Sequence, residues 1–150
     1  MPITLAVHVL CFALVATGVI ANDVVHVTVR RAVGRGASAD AASIARMMPR
    51  FALLSQIGAV LMLLTGIGLL AERHWADWGQ GWLTAKLIVF GVLILNGPLV
   101  ARPAALALID ALAGGKAEAT EPLLHRLSLF HVVQTIGLAT IVVLAVLRPF

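Results

Sequence analysis

His8, Cys11, Gly18, Asn22 and His26 interrupt an otherwise oily stretch, ITLAVHVLCFALVATGVIANDVVHVTV. His8 and His26 are 18 residues apart, about five turns of helix, so they lie on one face. Ionisable groups in an apolar span are expensive and turn toward a bundle interior with a partner. Two kinds of chemistry suit such imidazoles. A neutral ring nitrogen can ligate a metal or a haem iron, or a polar network can fix helix register. Counting depth from the ends of the apolar runs gives a second group. Asn22, Asp23 and His26 come to the level of Ser55, Gln56, Asn96, His131, Gln134 and Thr135. At that level His26 and His131 could be axial ligands of a haem or ligands of a metal, and His131 and Gln134, three apart, share a face. At the opposite boundary His8 and Lys86 lie equally far inside, with Cys11 and Thr65 nearby. Lys86 would there be an acid, a ligand when neutral or a partner for an anion, unless it snorkels past Trp82 to the interface.

The elements that position these residues are expected to be helices. The chain has 150 residues, is 61% hydrophobic and has a mean hydropathy of +1.01, too oily for a soluble domain of this size. Four apolar runs, roughly 3–23, 51–71, 82–101 and 127–147, are each long enough for a transmembrane helix of about 20 residues. Alternating barrel strands are absent. The first run lacks a basic leader and a clear cleavage site, and reads as retained rather than as a signal peptide. The expected fold is all-α: one integral membrane antiparallel four-helix bundle over residues 1–150, with membrane lipids as its solvent.

The net charge of +4 reads as topology rather than nucleic-acid binding. Arg30, Arg31, Arg35, Arg46, Arg50, Arg102, Lys116 and Arg126 gather at one end, against Arg73 and Arg148 at the other. The positive-inside rule then makes the bundle N-out and C-out. Helix one should continue to about Arg31. Asp40 should cap helix two, with Pro49 bending its first turns. NGPLVARP should release backbone carbonyls in helix three, which ends at Gly114–Gly115, and Pro122 should sit in the first turn of helix four. Trp75, Trp78 and Trp82 read as an interfacial belt on which a porphyrin edge or quinone ring could also rest. His74 and His125 read as interfacial.

GxGxxG, P-loop, CxxC, HExxH and GxSxG motifs are absent, which removes the soluble chemistries they carry. The single Cys11 forbids an intrachain disulfide and reads as a small buried hydrophobe. Two alternatives to haem remain open. One is copper handling, with His8, Cys11 and His26 as a relay and Met47, Met48 and Met62 facing lipid. The other is a structural subunit or homo-oligomer, with Gly58, Gly66 and Gly68 packing against other helices and the extensions of helices one and three docking a partner.

TGIGLL, a short polar loop and then GWLTAKLIVFGVLIL resemble the short membrane protoporphyrinogen oxidase family of bacteria, with its pattern G-x-x-L-L followed by W-L-x-x-K-L-x-L-V. His8 and Gly18 match that family's first-helix His and Gly, and VVLAVLRPF matches its closing segment. The resemblance implies a four-helix haem b protein of the bacterial inner membrane, with His8 and Lys86 as its functional His and Lys. Protoporphyrinogen would be oxidised, with electrons passing to a quinone-like acceptor. The chain departs from the pattern at Val15, Thr84, Asn96–Gly97 and NDVVH. His131-Val132-Val133-Gln134 replaces the family's acidic start to helix four. The scaffold is also similar to the copper-resistance D-type membrane family. A diverged haem-binding relative with a changed ligand set, His8, His26 and His131 with Asn22, Gln134 and Trp82 around the cofactor, is the reading that follows.

Overall fold

The computed structural model describes residues 2–147. Arg148, expected beside Arg73 at the outer end, and the closing Pro149 and Phe150 lie outside the described residues. The described chain is helical throughout, without a strand. In order come α1 (Pro2–Gly34), α2 (Ser38–Ala45), α3 (Met48–Glu72), α4 (Gly81–Asn96), a π-helical segment (Gly97–Ala101), α5 (Arg102–Ala113) and α6 (Ala117–Leu147). They form four helical passages long and apolar enough to cross a membrane. Side chains such as Leu10, Ile20, Leu64, Ile88 and Ile136 are exposed along them, as a lipid solvent requires.

Local chemistry sets the breaks. VVHVTVRR has no breaker, so α1 runs 33 residues, about 50 Å, and overshoots a hydrocarbon core of about 30 Å. Gly36, at φ 74°, makes the turn that follows, a conformation only glycine adopts freely. Asp40 does not cap α2. The helix begins at Ser38 behind Ala37, without a side-chain cap, and Asp40 falls inside its first turn. Pro49 does not bend a continuous helix either. The chain turns at Arg46–Met47, and Pro49 occupies the start of α3, where its missing N–H costs nothing. Pro98 does loosen the ladder, within the π segment directly after Gly97. Pro122 sits six residues into α6 rather than in its first turn, so only the carbonyl of Glu118 loses its helical partner.

Glycine brings α1 and α3 together. A Cβ on Gly18 would stand 2.9 Å from the Ser55 nitrogen and 3.0 Å from the Phe51 oxygen. One on Gly58 would stand 3.0 Å from the Val15 nitrogen. Gly66 lies against His8 and Gly68 against Thr4. These small residues therefore serve a contact within the chain, and the pairing runs antiparallel. Next around the bundle α1 packs on α6, and α6 on α4 and α5. α3 and α4 barely touch, although they follow one another in sequence.

The densest packing is not in the membrane-spanning middle. Val29, Ala41, Ala45, Leu108 and Leu124 are almost fully buried in one cluster formed by the end of α1, α2, α5 and the start of α6. The extensions expected to dock a partner dock on each other at the arginine-rich end. Met48 belongs to this cluster and Met62 is buried too. Of the methionines expected to face lipid, only Met47 is exposed.

Candidate functional site

Three histidines enter the bundle, and hydroxyl neighbours fix the protonation of two of them. Ser128 donates its hydroxyl to the Leu124 carbonyl at 3.0 Å. It therefore accepts from Nε2 of His26 at 2.9 Å, which leaves the lone pair of His26 on Nδ1. Thr65 likewise donates to Leu61 at 2.8 Å and accepts from Nδ1 of His8 at 2.9 Å, leaving the lone pair of His8 on Nε2. His131 holds Nδ1 against Oδ1 of Asp23. The other oxygen of Asp23 accepts from Thr135 at 3.4 Å. A carboxylate on one ring nitrogen favours the tautomer whose opposite nitrogen, Nε2, can ligate.

The two depth groups separate as their sequence positions indicate. At one end His8, half-buried, lies beside Thr65 and Gly66. Lys86, also half-buried, is near enough for its charge to act on His8. Cys11 is buried one turn along. Trp82 is buried at the start of α4, with its indole N–H donating to Gln80, while Trp75 and Trp78 are exposed and meet edge to face at 5.8 Å. Neither the cavity between the four passages nor the shallower hollow beside His131 is lined by His8, Lys86 or Trp82.

At the other level α1 and α6 meet through His26 and His131, whose ring centroids are 4.9 Å apart and tilted by 38°. Two imidazoles trans across one iron need about 6 Å between centroids, given metal–nitrogen bonds near 2 Å. The pair is therefore in mutual contact, and at this spacing the two rings do not stand trans across one haem iron. Phe130 meets His131 edge to face at 5.1 Å.

His131, Asn22 and Gln134 line a cavity of about 350 Å³ between the four passages. Ser55, Gln56, Gly97 and Arg102 also line it, and its apolar end is formed by Val15, Phe90 and Leu138. The polar groups here are short of partners. Asn22 Oδ1, His131 Nε2 and Gln134 Oε1 are buried without a hydrogen bond, as are Nδ2 of Asn96, just beside the cavity lining, and Nδ1 of His26. Each orphan costs about 1–3 kcal/mol, and their clustering sets this level apart from the rest of the bundle. On the far side of His131 a second, shallower hollow is lined by His26, Val27, Arg30, Arg31, Ser128 and His131.

A haem and a bare ion ask different things of these donors. Among the described residues no three His, Cys, Asp or Glu side chains converge, and His8, Cys11 and His26 do not form one cluster. A porphyrin brings its own equatorial nitrogens and asks the protein for an axial one. Depth counting identified Asn22, His26, His131 and Gln134. It missed Met48, Phe90, Phe130 and Ser128, whose only signal was helical spacing, and it read Arg102 first as a topological charge, with phosphate or anionic lipid as the minor alternative. The chain matches no family model, no curated protein and no solved structure.

Proposed function

We propose that this chain is a multi-pass protein of the bacterial inner membrane that holds haem b between its spans, with His131 as the iron ligand, and serves membrane redox chemistry. The observation that carries the reading is the cavity lined by His131, Asn22 and Gln134, with an unmet polar atom on each. When bound, haem supplies reversible one-electron chemistry. The protein's part is to hold and orient it. Asp23 and Thr135 steady the His131 ring, His26 and Phe130 pack beside that ring, and Asn22 and Gln134 offer hydrogen bonds at its level. The apolar walls exclude water. The resemblance to the protoporphyrinogen oxidase family supports a porphyrin as the group handled and a quinone-like acceptor for its electrons. The arginine-rich end faces the cytoplasm in this reading, with N-out and C-out topology.

The same resemblance favours His8 and Lys86, and a specific observation keeps that second reading in play: the lone pair of His8 is on Nε2, beside a lysine. The purified protein should show a Soret band that sharpens on dithionite reduction, with stoichiometric haem b by pyridine haemochrome. His131→Ala should lose most of that haem while His8→Ala keeps it. The reverse pattern moves the ligand to the His8 end. A featureless spectrum from stable protein expressed with ample haem removes haem altogether and leaves copper handling or a subunit role.

A further inference from the structure

The cavity is graded in polarity along its length. Arg102 is the only permanently charged side chain among the described residues that line it, and no carboxylate does so. Arg102 is exposed and makes no ion pair with any described residue. It opens α5 directly after the π segment and shares one end of the cavity with Pro49, Leu53 and Leu106. Gly137 packs on Leu93, and this fixes the antiparallel register of α6 against α4. His131 then falls near the level of position 99, and Arg102 about one turn, roughly 5 Å, nearer the arginine-rich end. From that end inward the lining holds one cation among Met48, Pro49, Ala105 and Leu106, then the polar belt of Gln56, Asn22, His131 and Gln134, then the apolar Val15, Phe90 and Leu138.

A ligand matched to this gradient has a flat apolar body with carboxylate at one edge only. Resting on the haem reading above, we infer that Arg102 binds the carboxylate edge of the porphyrin and so sets which edge faces the arginine-rich end. A guanidinium presents a planar fork of donors that fits a carboxylate, and the charge-assisted pair is among the stronger hydrogen bonds. An arginine that acted only as a topological anchor would be indifferent to whether the ligand's acids were free or esterified.

That difference is measurable without turnover. The full-length haem-free protein in detergent is titrated with haem b, with haem b dimethyl ester and with metal-free protoporphyrin IX and its dimethyl ester. Binding is followed by the Soret shift and by quenching of tryptophan fluorescence. The wild type should bind each free acid about tenfold tighter than its ester. Arg102→Gln should bring that ratio close to one, Arg102→Lys should keep part of it, and the double variant Arg30→Gln/Arg31→Gln should keep all of it. Equal binding of acid and ester by the wild type overturns the assignment. So does a preference that survives Arg102→Gln or collapses in the Arg30/Arg31 variant. If haem binds with a ligated-iron spectrum but without acid preference, the role of Arg102 alone falls. If no porphyrin binds to folded protein, the haem reading falls and this inference with it.

Discussion

At the scale of single residues, what matters is which nitrogen of each histidine is spoken for. Ser128 and Thr65 both spend their hydroxyl protons on their own helix, so each can only accept from an imidazole. That leaves one free lone pair per ring. For His131 the partner is Asp23, and removing a carboxylate that bonds the far nitrogen of a ligating imidazole typically costs about 10–100-fold in affinity. Asp23→Ala should therefore speed transfer of haem from the protein to an excess acceptor by at least tenfold, measured by the decay of the Soret band. Thr135→Val, which removes the weaker 3.4 Å contact, should have a smaller effect in the same assay. Much of this constellation was legible in the sequence, because a polar residue in an apolar helix can be placed by depth and by face. That arithmetic matched His8 to Thr65 and His26 to His131. It could not distinguish contact from separation for the histidine pair, which depends on how closely α1 and α6 approach. Nor could it see that Met48 turns inward, since a methionine has no polar signal to mark its side.

At the scale of elements, the α1–α3 pair is the tightest joint. Gly18→Ala would push a methyl into main-chain atoms at 2.9–3.0 Å, which cannot yield without shifting a helix. Gly137→Ala would instead meet the tip of the Leu93 side chain at 2.5 Å, which can change rotamer. Overpacking costs typically run to about 1–3 kcal/mol. Gly18→Ala should lower the midpoint of thermal unfolding in detergent by several degrees, and Gly137→Ala by clearly less. A larger loss for Gly137→Ala would mean that Leu93 is held as rigidly as backbone. The π segment was foreshadowed by NGPLVARP, because a proline in a helix must leave a carbonyl unbonded. The short α2 was not, because AASIARMM has a helical pattern that runs unbroken into the next apolar run, and the turn at Arg46–Met47 carries no glycine to announce it.

At the scale of the whole molecule, charge and packing point to the same end. Arginines lie in the same stretches of chain as the buried cluster of Val29, Ala41, Leu108 and Leu124, so by the positive-inside rule the most closely packed part of the protein is expected in the cytoplasm rather than in the bilayer. Single cysteines introduced at Ser38 and at Trp78 in a Cys11→Ser background should label from opposite sides of intact cells, Trp78→Cys from outside and Ser38→Cys only after permeabilisation. Labelling in the opposite sense would invert the topology while leaving the fold untouched. The long α1, α3 and α6 were legible from hydropathy alone. The core at the basic end was not, because it is built largely from alanines and leucines that the sequence shares with lipid-facing positions.

The sparse contact between α3 and α4 carries a mechanical consequence. The bundle is fastened along α3–α1, α1–α6 and α6–α4, and its second and third passages join at the arginine-rich end through α2–α5 and α3–α5, which leaves α3–α4 as its sparsest joint. Sideways pressure from the acyl chains bears on that single compliant seam. The width of the compartment behind it is then set partly by the surrounding lipid. A change in bilayer composition can tighten or slacken the grip on whatever lies inside, with no ligand, charge or covalent change in the protein itself.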